Sequence, residues 1–391
     1  MYNVWRLQPR LLSLLQAVSQ RRQDIALTAF DEAHIRWAMR SGLGPLLFAV
    51  TQADPHAPAS PFWPLLRGAD LTARVLTAEH FEAMSEILDA CRGLVDTVVL
   101  LKGISIAEQY YPVPHCRPMR DIDFLVAEAE LPTMESLLGK LGYFQPQKQP
   151  RSPGTTWHHG SPFFHARRGI WIEVHWRLFP SWSIFATDPL FHPDHVATQL
   201  RPSTFQGRLV TRFSAELQLV YLAAHWYHQY NILNWYHQYN ILAVEGAMIA
   251  MVDVLYLLGS SKSTLHWEQI LEGVHGSAAA LPLSILLTYL KHRDLLAVDA
   301  EVLRELSRTQ HSLDDSNRPL LHSLIDQYLV DGRAPGPILS VRTLSILWQR
   351  LLLPGPLWRT LLLLPWYLLP SRVGIRAWLS GLQTRRDSIN Q

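Results

Sequence analysis

Apolar residues recur at helical spacing from the start of the chain. Leu11, Leu14, Leu15 and Val18 form one stripe, and Ile35, Met39 and Leu43 continue the theme. A proline-rich break follows at residues 55–64. From about residue 68, Leu71, Val75, Leu76, Met84, Ile87, Leu88 and Cys91 describe one long helical stripe, with His80 beside it as a buried or boundary histidine. Between residues 96 and 180 the pattern changes to alternating strand and helix. The run 97–101 predicts a buried strand, Gly103 a turn, and 104–110 a short helix whose N-terminal amides would face a phosphate. Three prolines make 111–118 an ordered loop. A strand is expected at 121–126, a helix at 131–141 stopped by Gly142, and two strands at 162–166 and 169–176 around an Arg167-Arg168-Gly169 turn.

From residue 181 the periodicity reads as helical again. Ser214 is placed to cap a helix through Leu217, Val220, Tyr221 and Ala224, and Met248, Met251, Val252, Leu255 and Leu258 mark a later one carrying Asp253. His225 and Asp253, polar residues in apolar surroundings, are expected to hydrogen-bond one another. The fold class is therefore α+β (mixed α/β), a small mixed sheet with helices on one side, between N- and C-terminal helical regions. The chain divides into a helical region 1–95, a core 96–180, a helical domain 181–340 and an apolar, basic tail 341–391.

Two local features stand apart. Trp226-Tyr-His-Gln-Tyr-Asn-Ile-Leu-Asn at 226–234 is repeated almost at once at 235–243, with Ala243 as its last residue. Nine residues are about two and a half helical turns, so the copies would face opposite sides of one helix. A tandem duplication housed in a loop or helix end accounts for this better than an aromatic box. The stretch 347–370 is dense in Leu, Trp and Pro, but Arg350 and Arg359 interrupt it, and its longest uncharged run is too short to span a bilayer. With Arg372 and Arg376 following, residues 345–376 suit peripheral contact with a membrane surface; packing on the helical domain is the alternative.

Composition narrows the picture. With a net charge of +2, no global electrostatic case exists for nucleic acid. Two cysteines, Cys91 and Cys116, rule against a disulfide scaffold and suit a reducing cytoplasm, and no signal-peptide pattern opens the chain. Only five lysines occur, which singles out Lys102 beside the turn glycine.

The chemistry concentrates in three pieces: Leu101-Lys-Gly-Ile-Ser105, Arg120-Asp-Ile-Asp-Phe124 and Glu173-Val-His-Trp176. On a strand, Asp121 and Asp123 project from one face, where paired carboxylates need a cation between them and a divalent metal is the usual answer. Glu173 and His175 share a face of another strand. Burying Glu173 among apolar neighbours implies a metal or a cation such as Arg120 or Arg177. His175 reads as an orienting or core histidine, and His158, His159 and His165 lack the spacing of a zinc cluster.

In this order the three pieces resemble the polymerase-β-type nucleotidyltransferase superfamily, and more closely a bacterial nucleotidyltransferase family of largely unassigned substrate. The resemblance implies transfer of a nucleotidyl group from a nucleoside triphosphate to an acceptor hydroxyl. It makes Asp121, Asp123 and Glu173 the catalytic and metal-binding acids for Mg²⁺ or Mn²⁺, and Lys102, Gly103, Ser105 and Arg120 the nucleotide contacts. Ile104 intervenes between Gly103 and Ser105, where the superfamily usually pairs Gly directly with Ser. The alternative is a catalytically inactive nucleotide- or partner-binding protein of the same fold, one version being a membrane-surface component of an envelope or polysaccharide pathway. The expected location is the cytoplasm, including the inner face of its membrane.

Overall fold

The computed structural model describes residues 8–146, 158–181, 183–230, 243–260, 265–308 and residue 325. The tail from 341 and most of the duplicated stretch lie outside them. Helices α1 (Gln8–Ser19), α2 (Glu32–Arg40) and α3 (Gly44–Thr51) precede the long α4 (Trp63–Cys91), which begins with Pro64 in its first turn, where a missing amide costs nothing. The stripe read along α4 divides. Met84, Ile87, Leu88 and Cys91 are buried, whereas Leu71, Val75 and Leu76 are exposed, because only the C-terminal half of α4 packs against the sheet layer. His80 is buried, its Nδ1–H donating to the Leu76 carbonyl at 2.6 Å.

The apolar run before Lys102 forms β1 (Val99–Leu100), and α5 (Lys102–Tyr110) starts without an intervening loop. Then come β2 (Asp121–Leu125), α6 (Leu131–Lys140), β3 (Phe163–His165) and β4 (Ile170–His175). The chain continues through α7 (Pro193–Thr198), β5 (Leu200–Phe205) and β6 (Arg208–Phe213). It closes with α8 (Ala215–Tyr230), α9 (Ala243–Ser260), α10 (Trp267–Val274), α11 (Ala280–His292) and α12 (Ala300–Arg308). Ser214 caps α8, its Oγ accepting from the Leu217 amide at 3.2 Å.

The six strands form one mixed sheet in the order β3-β4-β2-β1-β6-β5. β2 and β4 are parallel, β1 runs antiparallel to β2, and β6 lies parallel to β1 on its other side. The β5–β6 hairpin departs from the all-helical expectation beyond residue 181. Its turn, Gln206-Gly207, has positive φ at both residues (47° and 76°), as a tight hairpin joining right-twisted strands requires.

Strand alternation sorts side chains between two cores. Leu100, Ile122, Phe124, Ile172 and Val174 join α4 and α6 in one; Val99, Leu101 and Phe213 join α1–α3, α8, α9 and α11 in the other. Helices therefore cover both faces of the sheet rather than one. Burying Ile122 and Phe124, both fully enclosed, contributes about 1.5–3 kcal/mol each. It also fixes which face their neighbours Asp121 and Asp123 present. Among the described residues no helix is long and apolar enough to cross a membrane.

Candidate active site

In the parallel pairing of β2 with β4, Asp123 stands directly opposite Glu173, and Asp121 opposite Trp171. Asp121 and Asp123 share a strand face, as do Glu173 and His175, so the register brings both acid-bearing faces together. Asp123 is buried; Asp121 and Glu173 are partly so. One donor atom each from Asp123, Glu173 and His175 all lie within 4.8 Å of one another, the one such group among the described residues. Two carboxylates and an imidazole are a chemically suitable donor set for a divalent cation. Asp121 stands beside this trio, two residues before Asp123.

Lys102 is the first residue of α5, and its φ of 43° is a left-handed conformation that costs a non-glycine residue about 1–3 kcal/mol. The outcome is that Nζ donates to Asp123 Oδ1 at 2.7 Å. His175 Nε2–H donates to the same oxygen at 2.8 Å and lies 3.6 Å from Glu173 Oε2, while His159 Nε2 is 4.0 Å from that Glu173 oxygen. His175 thus holds Asp123 in place. The partners beside Glu173 are His175 and His159; Arg177 instead approaches Glu128, at 3.8 Å, and Arg120 is exposed at the start of β2.

The electrostatics follow from burial and crowding. Burial, then the Asp123 charge, pushes Asp121 up to about 7, against the pull of Lys102. Burial alone would raise Asp123 as well, but Lys102 and the His175 hydrogen bond overcome it and hold Asp123 far below the usual carboxylate range. Glu173 is lowered: burial opposes, and His175 outweighs it with help from Lys102 and His159. Burial pulls Lys102 down, but Asp123, Tyr221, Glu173 and Asp121 together keep its ammonium above the ordinary lysine value.

The turn is packed from behind. A Cβ on Gly103 would collide with the Arg117 guanidinium and meet Met119 Cγ at 3.0 Å. The space left by the absent side chain therefore belongs to Arg117. That guanidinium is fixed in turn by Asp253 on α9, through Nη2 at 2.9 Å and Nε at 3.2 Å, and Tyr111 donates to the same carboxylate at 2.8 Å. Asp253 thus pairs with Arg117 and Tyr111 and not, as its surroundings suggested, with His225. Ser105 is fully buried, its hydroxyl directed to Gln109 at 3.4 Å and its carbonyl accepting from the buried Arg212 at 2.8 Å.

The second wall is α8. Tyr221 and His225 lie one turn apart with ring centroids 5.7 Å apart, and His228 follows on the same face, within 3.3 Å of Ser183 Oγ. Burial, then Lys102 and His228, depress His225 well below its ordinary value. The Tyr221 hydroxyl is completely enclosed and has no hydrogen-bond partner among the described residues. Only helical periodicity marked Tyr221 in the sequence.

Residues 30–293, more than half of the chain, match the model of a family described as an uncharacterised nucleotidyltransferase, and the chain belongs to that family. No curated protein and no solved structure matches the chain.

Proposed function

We propose that this member of the uncharacterised nucleotidyltransferase family transfers a nucleotidyl group from a nucleoside triphosphate to an acceptor hydroxyl, with Mg²⁺ or Mn²⁺ bound by Asp121, Asp123 and Glu173. The observation that carries the reading is the register of β2 on β4, which sets Asp123 against Glu173 with a lysine on the shared face. A divalent ion there supplies charge neutralisation on the phosphates and eases deprotonation of a ligated hydroxyl. The chain's own residues do the rest. His175 orients Asp123; Glu173, held ionised, is the candidate base for the acceptor hydroxyl. Lys102 and Arg120 are the cations offered to the triphosphate. Gly103 and Ser105 serve the nucleotide by shaping the turn that aims Lys102, Gly103 by admitting Arg117 behind it.

The test is thermal unfolding with Mg²⁺ or Mn²⁺ and each of the four common nucleoside triphosphates, in wild type and in Asp123→Asn. A ligand that binds only the native state raises its melting temperature, by an amount corresponding to about 2.7 kcal/mol at a hundredfold excess over Kd. The expected result is metal-dependent stabilisation by at least one triphosphate, lost in the variant. No shift with any pair would sink the proposal and favour a partner-binding protein of the same fold.

A further inference from the structure

Resting on the metal-dependent reading above, we infer that the site holds a single divalent ion, the ammonium of Lys102 standing where a second ion would otherwise sit. In two-metal sites the ions lie about 3.5–4 Å apart and are bridged by shared ligands. Asp123 is the residue placed to bridge, since it stands between Asp121 on its own strand and Glu173 on the next. One of its oxygens is already committed: Oδ1 accepts from both Lys102 Nζ at 2.7 Å and His175 Nε2 at 2.8 Å. Oδ2 makes no hydrogen bond among the described residues and is the oxygen left to an ion, whereas a second ion on Oδ1 would have to displace the Lys102 ammonium.

The lysine is built in, not passing through. Its side chain is 16% exposed, and its backbone is held in the left-handed region at the start of α5, a conformation that aims the ammonium at Asp123. Arg117, also largely buried, is taken by Asp253.

The enclosed Tyr221 hydroxyl has no partner among the described residues and could donate to a polar ligand. A donor there suits a phosphoryl oxygen, the group a triphosphate brings beside its ion.

Binding stoichiometry decides the matter without reference to turnover. Full-length protein with a non-hydrolysable analogue of each nucleoside triphosphate would be titrated with Mn²⁺, bound ions being counted by electron paramagnetic resonance. Wild type should bind one Mn²⁺ per bound analogue, with the six-line spectrum of an isolated ion. Lys102→Met, its fold checked by circular dichroism, should bind two with the exchange coupling of a close pair, and Lys102→Arg should keep one. Two coupled ions in wild type overturn the inference and leave the nucleotidyl-transfer reading standing. One ion in Lys102→Met overturns the substitution of lysine for metal. No Mn²⁺ bound with any analogue overturns both.

Discussion

Arg117 and Asp253, far apart in sequence, close a bidentate ion pair that ties the proline-rich loop after α5 to α9. The pair lies behind the turn carrying Lys102, so the helices after the sheet determine how the first motif is held. Asp253 is almost wholly buried, and Tyr111 donates to it too. Asp253→Ala leaves a buried guanidinium without a counter-ion and should cost about 3–5 kcal/mol, read from the urea midpoint. Joint replacement, Arg117→Met with Asp253→Leu, should recover much of that loss, since the desolvation cost of both charges disappears together.

Gly103→Ala should destabilise by about 1–3 kcal/mol through overpacking, because its new Cβ would press on a guanidinium that Asp253 prevents from yielding. In an Arg117→Ala background the same change should cost under about 1 kcal/mol. Equal costs in the two backgrounds, measured by equilibrium unfolding, would show that Arg117 is not what Gly103 accommodates.

How much of this was legible beforehand depends on range. β2 and β4, with their alternating acids, could be read because each strand carries its own apolar face; Ile122 and Phe124 reveal where Asp121 and Asp123 must point. The β5–β6 hairpin could not. Pro202 and the exposed Leu209 break its alternation, and a charged residue, Arg212, occupies an enclosed position where the pattern demands an apolar one. The Gln206-Gly207 turn was the one available signal. Partners were less legible than elements: Asp253 chose Arg117 over His225 on grounds of three-dimensional packing that no spacing encodes. Leu71, Val75 and Leu76 kept helical periodicity yet lie exposed, since periodicity identifies a stripe and says nothing of what covers it.

Stability in the metal-free protein should fall on the acid side. Burial lowers His80, His158, His159 and His225, so each is neutral in the fold and protonates more readily unfolded. Each contributes stability that is present above the unfolded imidazole value of about 6.5 and is lost as pH falls toward its depressed folded value. His175 runs the other way: burial opposes, but its bonds to Asp123 and Glu173 raise it, so its contribution is present below that value and lost above its folded one. Asp121 acts in the same direction as His175: raised to about 7, its carboxyl takes up a proton in the fold before it would unfolded, so its contribution grows as pH falls from 7. Four groups against two still give a net loss between pH 7 and 5. Urea unfolding across that range should show a falling midpoint, and His80→Leu, which removes one of the four depressed imidazoles, should flatten the slope.

Tyr221→Phe offers a signed test of α8. Removing an enclosed hydroxyl that has no partner among the described residues should leave the ligand-free protein unchanged or more stable by about 1 kcal/mol. Metal-dependent stabilisation by a triphosphate should shrink in the same variant. A loss of stability without ligand would mean that the hydroxyl already serves the fold.

The neighbour of β1 on one side is β6, more than a hundred residues later in the chain. During synthesis the sheet can therefore close around β1 only after the hairpin has left the ribosome. Until then Val99 and Leu100 keep an open, apolar edge, the kind of surface that chaperones shield and that pairs wrongly with other chains. Such non-local pairing also predicts slow assembly relative to the surrounding helices. Arg212, which reaches from β6 to the carbonyl of Ser105, is then the latch by which the hairpin fastens onto α5.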